Sequence, residues 1–373
     1  MAEVEISSRP FTTLKATEGE GYVEVECVDK EFDTQCNPRY GFCLNHKRFV
    51  PVKLMDVPGL VEGASEGKGM GNQFLDSLNE ADALIHIVDI SGSTDNEGNP
   101  VEPLSYDPEK DIKFLENELD QWYLRILKKG WEKFSRTVKQ ENQDIKRALA
   151  KQLSGLRVNE DMTTEAIKIL NLGHNPTAWN DEDLLQLAKE LRKMTKPILI
   201  AANKIDIPGA KMNYEKLKEK YEMIPCSAEV ELALREAAKK EMIDYIPGEE
   251  DFKILNKDKL TEEQKKGMSF IKKFLEEHGN TGVQGVLNKM VFEKLKYVAI
   301  FPGGVNNLKD SDGNILPDCH LLEEGSTALD FAYKIHKDLG DNFIKAITVR
   351  DKMARGKEYK LKHQDIIEIV VKK

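Results

Sequence analysis

Three short runs of almost uniformly apolar residues, 49–55, 83–88 and 197–202, limit the fold of this chain more than any other sequence feature. A strand with one face in water alternates apolar and polar residues, as residues 22–28 do, whereas a continuously apolar strand is covered on both faces. Covered strands that are separated by helical segments are typical of a mostly parallel sheet. The sequence therefore predicts an α/β fold.

The segment between the last two apolar runs, about residues 107–195, is rich in charged residues. Its first part predicts a helix, because apolar residues recur at three- and four-residue steps and so share one helix face. These residues are Ile112, Leu115, Leu119, Trp122 and Ile126. A stop at residues 128–130 precedes a second predicted helix, 131–156. We interpret the segment as a helical insertion whose charged face is solvated or, alternatively, binds a partner.

A further change of pattern begins near residue 298 and predicts a second, smaller domain over residues 298–373, after a first domain over residues 1–297. Within it, residues 312–314 indicate a hairpin turn. Thr327 and Asp330 have a capping-box spacing that opens a helix running to about residue 338. Residues 366–371 predict a closing strand. Residues 345–362 hold seven basic and two acidic side chains, which could contact RNA phosphates or form ordinary surface.

The overall charge narrows the classes of partner. The 373 residues carry 65 acidic and 55 basic side chains, a net charge of -10. Coating of DNA depends on Lys and Arg neutralising phosphates, so we expect no DNA partner. The apolar runs fall far short of the roughly 18 residues of a membrane span, and the first ten residues lack the apolar core of a secretion signal. We expect a cytoplasmic protein without a membrane partner.

Three of the five cysteines lie close together in the sequence, but five in a chain of this length do not make a disulfide framework. Cys27, Cys36, Cys43 and His46 have the spacing C-x8-C-x6-C-x2-H. This spacing lacks the close cysteine pair that is typical of zinc sites. We prefer a loop of reduced thiols around the turn at residues 37–41, and a metal site is the alternative.

The first motif with a chemical interpretation is D-x-x-G, formed by Asp56 and Gly59 directly after the first apolar run. Open α/β sheets bind ligands at the carboxyl ends of their strands. An Asp at that position could hold a water molecule that is bound to Mg²⁺, and the Gly N–H could donate a hydrogen bond to a γ-phosphate oxygen.

The second and third motifs also follow predicted strands. In Asn203-Lys204-Ile205-Asp206, the Asp206 carboxylate could accept hydrogen bonds from both guanine N1–H and the N2 amino group, a donor pair that adenine lacks. Asn203 would brace the loop and the Lys204 stem would cover the base, although an N-cap turn is the alternative. Ser227 and Ala228 follow the next short strand, where the Ala228 N–H would meet guanine O6.

In combination these motifs resemble the Obg family of GTPases. Residues 9–14, R-P-F-T-T-L, resemble its switch I, and the glycine-rich residues 56–72 resemble its switch II. The helical insertion and a C-terminal segment that resembles a TGS domain, with Gly325-Ser326-Thr327, match the Obg-like, YchF-type branch over essentially the whole chain. The resemblance implies a P-loop-NTPase-like sheet followed by a β-grasp domain.

The same resemblance implies a translation-associated switch that binds GTP and Mg²⁺, hydrolyses GTP slowly and meets the ribosome or another RNA-containing particle. The resemblance implies that Asp56 and one threonine of the pair Thr12-Thr13 hold Mg²⁺, and the family pattern favours Thr13. Some members of the branch prefer ATP, and the motif at residues 203–206 favours GTP here. Leu60 stands where many GTPases have a Gln that orients the attacking water, which is consistent with slow hydrolysis.

One expected motif is missing from the 373 residues. A phosphate loop reads G-x-x-x-x-G-K-[ST], but the Gly-Lys pairs at residues 67–68 and 356–357 are followed by Gly and Glu. We expect a truncated start, a sheet without its first strand, and GTP binding that is weak or absent. The alternative function is that of a nucleotide-independent binding protein which has lost its phosphate site.

Overall fold

The computed structural model describes residues 17–57, 78–256 and 260–372. Thr13 and Gly59 lie outside the described residues. The described chain divides into two units, of which the first comprises residues 17–19, 55–57 and 78–230, and the second the remainder. The boundary at residue 298 stays a prediction.

The strands are, in chain order, β1 (Thr17–Glu26), β2 (Phe42–Leu44), β3 (Lys47–Asp56), β4 (Leu84–Asp89), β5 (Ile198–Asn203), β6 (Met223–Pro225), β7 (Ile243–Asp244), β8 (Lys253–Ile254), β9 (Tyr297–Pro302), β10 (His320–Glu323), β11 (Phe343–Thr348), β12 (Met353–Arg355) and β13 (Ile366–Val371). The α-helices are α1 (Glu109–Lys128), α2 (Trp131–Gln140), α3 (Ile145–Gln152), α4 (Glu160–Ile169), α5 (Asp181–Thr195), α6 (Ala210–Leu217), α7 (Ala228–Lys239), α8 (Glu262–His278), α9 (Val283–Asn288), α10 (Ala328–Ile335) and α11 (Lys337–Asp341). None of the helices in the described part combines the length and apolarity that crossing a membrane requires.

The first unit contains a parallel sheet of order β4–β5–β6, which confirms the predicted α/β fold. The register of β4 on β5 runs from Leu84 opposite Ile198 to Asp89 opposite Asn203. The strand predicted at residues 49–55 belongs to a separate sheet of order β1–β3–β2, in which β3 pairs antiparallel with β2. Its prediction as a parallel strand covered on both faces was wrong, because Lys53 interrupts the apolar run and lies exposed beside the exposed Leu54.

The helices between β4 and β5 confirm the predicted insertion and share one hydrophobic core, against which Leu84 of β4 and Ile198 of β5 also pack. Two polar contacts are buried within it: Arg192 Nε donates to Asp120 Oδ1 at 2.9 Å, and the Tyr123 and Thr195 hydroxyls lie 2.7 Å apart. The single helix predicted at residues 131–156 was wrong. Asn142 has a φ of 50°, in the left-handed region, and ends the first helix. Asp144 then caps α3 by accepting the Lys146 N–H at 2.9 Å.

The second unit contains a mixed sheet of order β10–β9–β13–β11–β12 with α10 packed on it. The β9–β13 pair is parallel, and the remaining pairs of this sheet are antiparallel. The predicted capping box is confirmed, because the Thr327 and Asp330 side chains each accept the other's backbone N–H. The predicted helix end was wrong: α10 stops at Ile335, and the extended His336 caps a separate helix by accepting the Asp338 N–H.

A second hydrophobic cluster joins β1 to the mixed sheet of this unit. It contains Val23 and Val25 of β1, Ala299 and Phe301 of β9, and Ile366 of β13. These side chains are at most 5% exposed. The mixed sheet therefore buries part of its apolar surface against residues far away in the sequence.

We predict that the buried Arg192–Asp120 pair holds the insertion together. Asp120→Ala should lower the free energy of unfolding by about 3–5 kcal/mol, because it leaves the Arg192 charge buried without its carboxylate. The three tryptophans of the chain, Trp122, Trp131 and Trp179, lie in or against this core, so their fluorescence during urea denaturation reports on it.

The matched control is Glu132→Ala, which removes an exposed partner 3.5 Å from Arg136. It should change the free energy by less than about 1 kcal/mol. Equal effects of the two substitutions would contradict the prediction.

Candidate functional site

The loops after β5 and β6 are tied together at one edge of the parallel sheet. The Cys226 N–H donates to the Ala202 carbonyl at 2.9 Å, and the Ile205 N–H donates to the Cys226 carbonyl at 3.2 Å. The Asn203 side chain adds a third link, since its Oδ1 accepts the Ala228 N–H at 3.0 Å. The structure therefore brings together the two motifs that the sequence placed about twenty residues apart.

Lys204 holds an uncommon backbone conformation that directs its side chain to the neighbouring strand. Its φ is 62°, in the left-handed region that a residue with a Cβ adopts at a cost of about 1–2 kcal/mol. The ammonium group donates to Asp89 Oδ2 at 2.7 Å and to Thr94 Oγ1 at 2.9 Å. Strained residues of this kind concentrate at functional sites.

Asp89, at the carboxyl end of β4, is a candidate site residue that the sequence reasoning missed. Its Oδ1 accepts the Ser91 N–H and hydroxyl, and its Oδ2 accepts the Ser93 and Thr94 hydroxyls as well as the Lys204 ammonium. Burial acts to raise the pKa of Asp89, but the hydrogen bonds from Lys204 and the hydroxyls outweigh it and lower the pKa. The signal was available, because Asp89 follows a predicted covered strand just as Asp56 does.

The remaining base-site candidates have distinct surroundings. Ser227 is fully buried and its hydroxyl accepts the Val230 N–H at 3.2 Å, so it caps the start of α7. Asp206 is partly buried. Burial of the thiol raises the pKa of Cys226 to about 12, and the Asp206 charge adds to this effect. The Ala228 N–H already donates to Asn203, so guanine O6 would have to share that donor. The contacts of Asp206 and Ala228 with guanine stay predictions.

On the predicted Mg²⁺ side, Asp56 is exposed at the end of β3. Its role in holding Mg²⁺ with Thr13, and that of Gly59 toward a phosphate, stay predictions because Thr13 and Gly59 lie outside the described residues.

The cysteines that cluster in the sequence also cluster in space, within the second unit. One side-chain atom each from Cys27, Cys36, Cys43 and Asp29 lies within 4.8 Å of the others. His46 is not a member of this group; its Nδ1 lies 2.9 Å from Asp29 Oδ1. Hydrogen bonds from the Cys27 and Cys36 thiols lower the pKa of Cys43.

We predict that Asp89 stabilises the site loops as a carboxylate. Asp89→Asn should lower the free energy of unfolding at pH 7 by about 1.5–3 kcal/mol, the value of a hydrogen bond to a charged group. Since the folded pKa lies below the unfolded value of about 3.9, the contribution of Asp89 is complete above that pH and is lost as the pH falls through the folded pKa. In urea denaturation, the difference between variant and unaltered protein should therefore stay constant from pH 7 to about pH 4 and narrow as the pH falls further.

Asp161→Asn is the control for this substitution, because Asp161 lies exposed in the first turn of α4. A pH-independent deficit in Asp89→Asn, or an equal deficit in the control, would contradict the prediction.

Comparison with known proteins places these loops in a family. Residues 1–129 match the family described as 50S ribosome-binding GTPase, residues 201–305 match the Obg-like GTPase YGR210-like, G4 motif-containing domain, and residues 311–371 match the TGS domain. The chain is 47% identical over 370 residues to a GTP-binding protein of Methanocaldococcus jannaschii, with 98% of this chain and 92% of that protein covered.

Two further similarities extend over most of the chain. A ribosome-binding ATPase YchF of Buchnera aphidicola is 28% identical over 313 residues, which cover 80% of this chain and 70% of that protein. The crystal structure of a GTP-binding protein from Pyrococcus horikoshii OT3 superposes with a TM-score of 0.74 at 39% identity, with 95% of this chain and 93% of that chain covered. The predicted resemblance is thereby confirmed: the chain belongs to the Obg-like, YchF-type family of GTP-binding proteins.

Proposed function

We propose that this protein is a guanine-nucleotide switch of the cytoplasm that acts on the ribosome and hydrolyses GTP slowly with Mg²⁺. The observation that carries the proposal is the hydrogen bond between Asn203 Oδ1 and the Ala228 N–H, 3.0 Å. It fixes the two base-reading loops against each other beside Asp206. A prearranged loop pair lowers the ordering cost of binding a planar base.

The choice of guanine rests on the hydrogen-bonding capacity of Asp206. A carboxylate accepts two parallel hydrogen bonds, and guanine offers N1–H and the N2 amino group side by side. Adenine presents no such pair to it. One YchF relative is named an ATPase, so base preference within this family is a matter for experiment on each chain.

Mg²⁺ and slow hydrolysis form the second part of the proposal. Asp56 would hold a water ligand of Mg²⁺ from the end of β3, together with the Thr13 hydroxyl. Gly59 would contact the γ-phosphate through its N–H. Leu60 has no polar group to orient the attacking water, and this supports a low rate.

Two observations support the ribosome as a partner in this proposal. The family that residues 1–129 match is described as ribosome-binding, as is the YchF relative. The basic segment 345–362 is a candidate contact, although two of its arginines are engaged. Arg350 pairs with Glu31 at 2.6 Å and Arg355 with Asp351 at 2.5 Å.

A second candidate function, nucleotide-independent binding, is favoured by one observation. Within the 373 residues no G-x-x-x-x-G-K-[ST] motif occurs to supply the row of N–H groups that cradles a β-phosphate. Ribosome binding that persists when GTP and GDP show no binding at millimolar concentration would favour this candidate over the switch.

We predict that Asp206→Asn removes the preference for guanine. GTP and ATP would be titrated from micromolar to millimolar concentration and followed by ligand-observed NMR. The unaltered chain should bind GTP more tightly than ATP. The variant should lose about 10- to 100-fold in GTP affinity with ATP unchanged, because an amide accepts only one of the two guanine bonds.

Asp251→Asn, an exposed carboxylate of the second unit, is the matched control and should leave both affinities unchanged. Equal affinities of the unaltered chain for GTP and ATP would refute the assignment of Asp206 as the base reader.

We predict that the exposed lysines of the basic segment contribute to ribosome binding. Lys345, Lys352 and Lys362 are exposed. Their combined change to Glu should reduce co-sedimentation with ribosomes from the same cells and flatten its salt dependence, because fewer counterions are released. A triple change of the exposed Lys266, Lys272 and Lys273 of α8 to Glu alters the net charge equally and should have a smaller effect. Unchanged sedimentation of the first variant would contradict the prediction.

A further inference from the structure

We propose that Cys27, Asp29, Cys36 and Cys43 form a structural zinc site in the second unit. The four residues come from one short stretch of chain. Cys27 follows β1, Asp29 lies in the 3-10 helix Val28–Phe32, Cys36 lies in the loop after it, and Cys43 lies in β2. Three thiolates and one carboxylate suit Zn²⁺, which takes four Cys, His or acidic ligands in a tetrahedron.

The distances between the four side chains fit such a tetrahedron. With Zn–S bonds of about 2.3 Å and a Zn–O bond of about 2.0 Å, ligand sulfurs stand about 3.8 Å apart and a sulfur and an oxygen about 3.5 Å apart. Cys27 Sγ lies 3.5 Å from Cys36 Sγ, and Cys43 Sγ lies 4.0 Å from Asp29 Oδ2. All four ligand atoms lie within 4.8 Å of one another. Closing the group on an ion would need only small side-chain movements.

Hydrogen bonds position the carboxylate ligand. Asp29 is completely buried, its Oδ1 lies 2.9 Å from His46 Nδ1, and its Oδ2 accepts the Cys36 N–H at 2.8 Å. Polar groups that orient a ligand in this way are a general feature of metal sites. The metal site considered from the sequence had His46 as a ligand beside the three cysteines. The geometry instead makes Asp29 the fourth ligand and His46 a residue that positions Asp29.

The charge around the site also favours a zinc site with a net negative charge. Three thiolates, one carboxylate and Zn²⁺ together carry a charge of about -2. Arg48, only 1% exposed, lies beside them, and its Nη1 donates to Cys36 Sγ at 3.5 Å. Its other hydrogen bonds go to the Leu316 and Pro317 carbonyls, at 3.1 and 2.8 Å. A buried cation needs a nearby negative charge, which the thiolates of the site would supply.

The loop between the second and third cysteines is shaped to return the chain to the cluster. Gly41 has a φ of 72°, and a Cβ at that position would lie 2.0 Å from the Phe49 carbonyl oxygen. A glycine is therefore required for the turn that brings Cys43 back toward Cys36.

A metal at this position would stabilise the contact between the loop and the TGS region. The Asn37 N–H donates to the Ile315 carbonyl, and the Arg39 N–H donates to the Pro317 carbonyl, both at 2.9 Å. Both donors lie between Cys36 and Cys43. Fixing the two cysteines would hold these backbone groups in place against residues 315–317.

The test is the metal content of the full chain, purified under reducing conditions without chelators and measured by plasma mass spectrometry and native mass spectrometry. We expect about one zinc per chain. In Cys36→Ser the zinc content should be lost, whereas Cys226→Ser, which removes a cysteine outside the cluster, should keep it. Replacement of zinc by Co²⁺ should give the thiolate-to-cobalt charge-transfer and intense visible bands of a tetrahedral site.

Two variants keep the test meaningful if Cys36→Ser does not fold. Asp29→Cys should retain one zinc and shift the cobalt spectrum toward that of four thiolates. His46→Gln should weaken zinc affinity about 10- to 100-fold, measured by competition with a chromogenic chelator. A metal-free chain with all thiols reactive, a chain lighter by two hydrogens because of a disulfide, or equal zinc in Cys36→Ser and the unaltered protein would each overturn the proposal.

Discussion

The in-register parallel pairing of β4 with β5 is the constraint on which the candidate functional site depends. Parallel neighbours end at the same edge of a sheet, so the last residues of the two strands, Asp89 and Asn203, stand side by side. Lys204, the next residue, reaches back to Asp89 only because its backbone turns into the left-handed region. Asn203 in turn binds the loop after β6. A shift of the β4–β5 register by one residue would move Asp89 away from Asn203 and break the Lys204–Asp89 contact.

A buried arginine in each unit shows how the fold compensates a positive charge that is removed from solvent. Arg192 in the first unit faces the Asp120 carboxylate directly, and each side chain is at most 10% exposed. Arg48 in the second unit donates to two carbonyls and a thiol. Carbonyl dipoles only partly replace the hydration of a guanidinium, so the region around Arg48 gains most from an additional negative charge. The cysteine cluster lies at that point.

The second unit derives its core from both ends of the chain. Valines of β1 pack with residues of β9 and β13, and the loop before β2 donates hydrogen bonds to residues 315–317. A small sheet buries little surface by itself, so covering its other face with β1 adds substantially to its stability. The family resemblance, which names the TGS region as a separate module, does not by itself indicate this shared core.

The sequence by itself determined the class of fold, the helical insertion and the capping box at Thr327, because each depends on local periodicity or on residues close together in the chain. It missed the break at Asn142 and the extended His336, since a single left-handed or extended residue leaves the apolar spacing almost unchanged. Only the tertiary structure brought Asp89 to Lys204, which is 115 residues away. It also replaced His46 by Asp29 in the cysteine cluster, because the choice of ligand depends on which side chain the fold buries among the sulfurs. Local pattern decides where elements form, and long-range packing decides which polar groups meet.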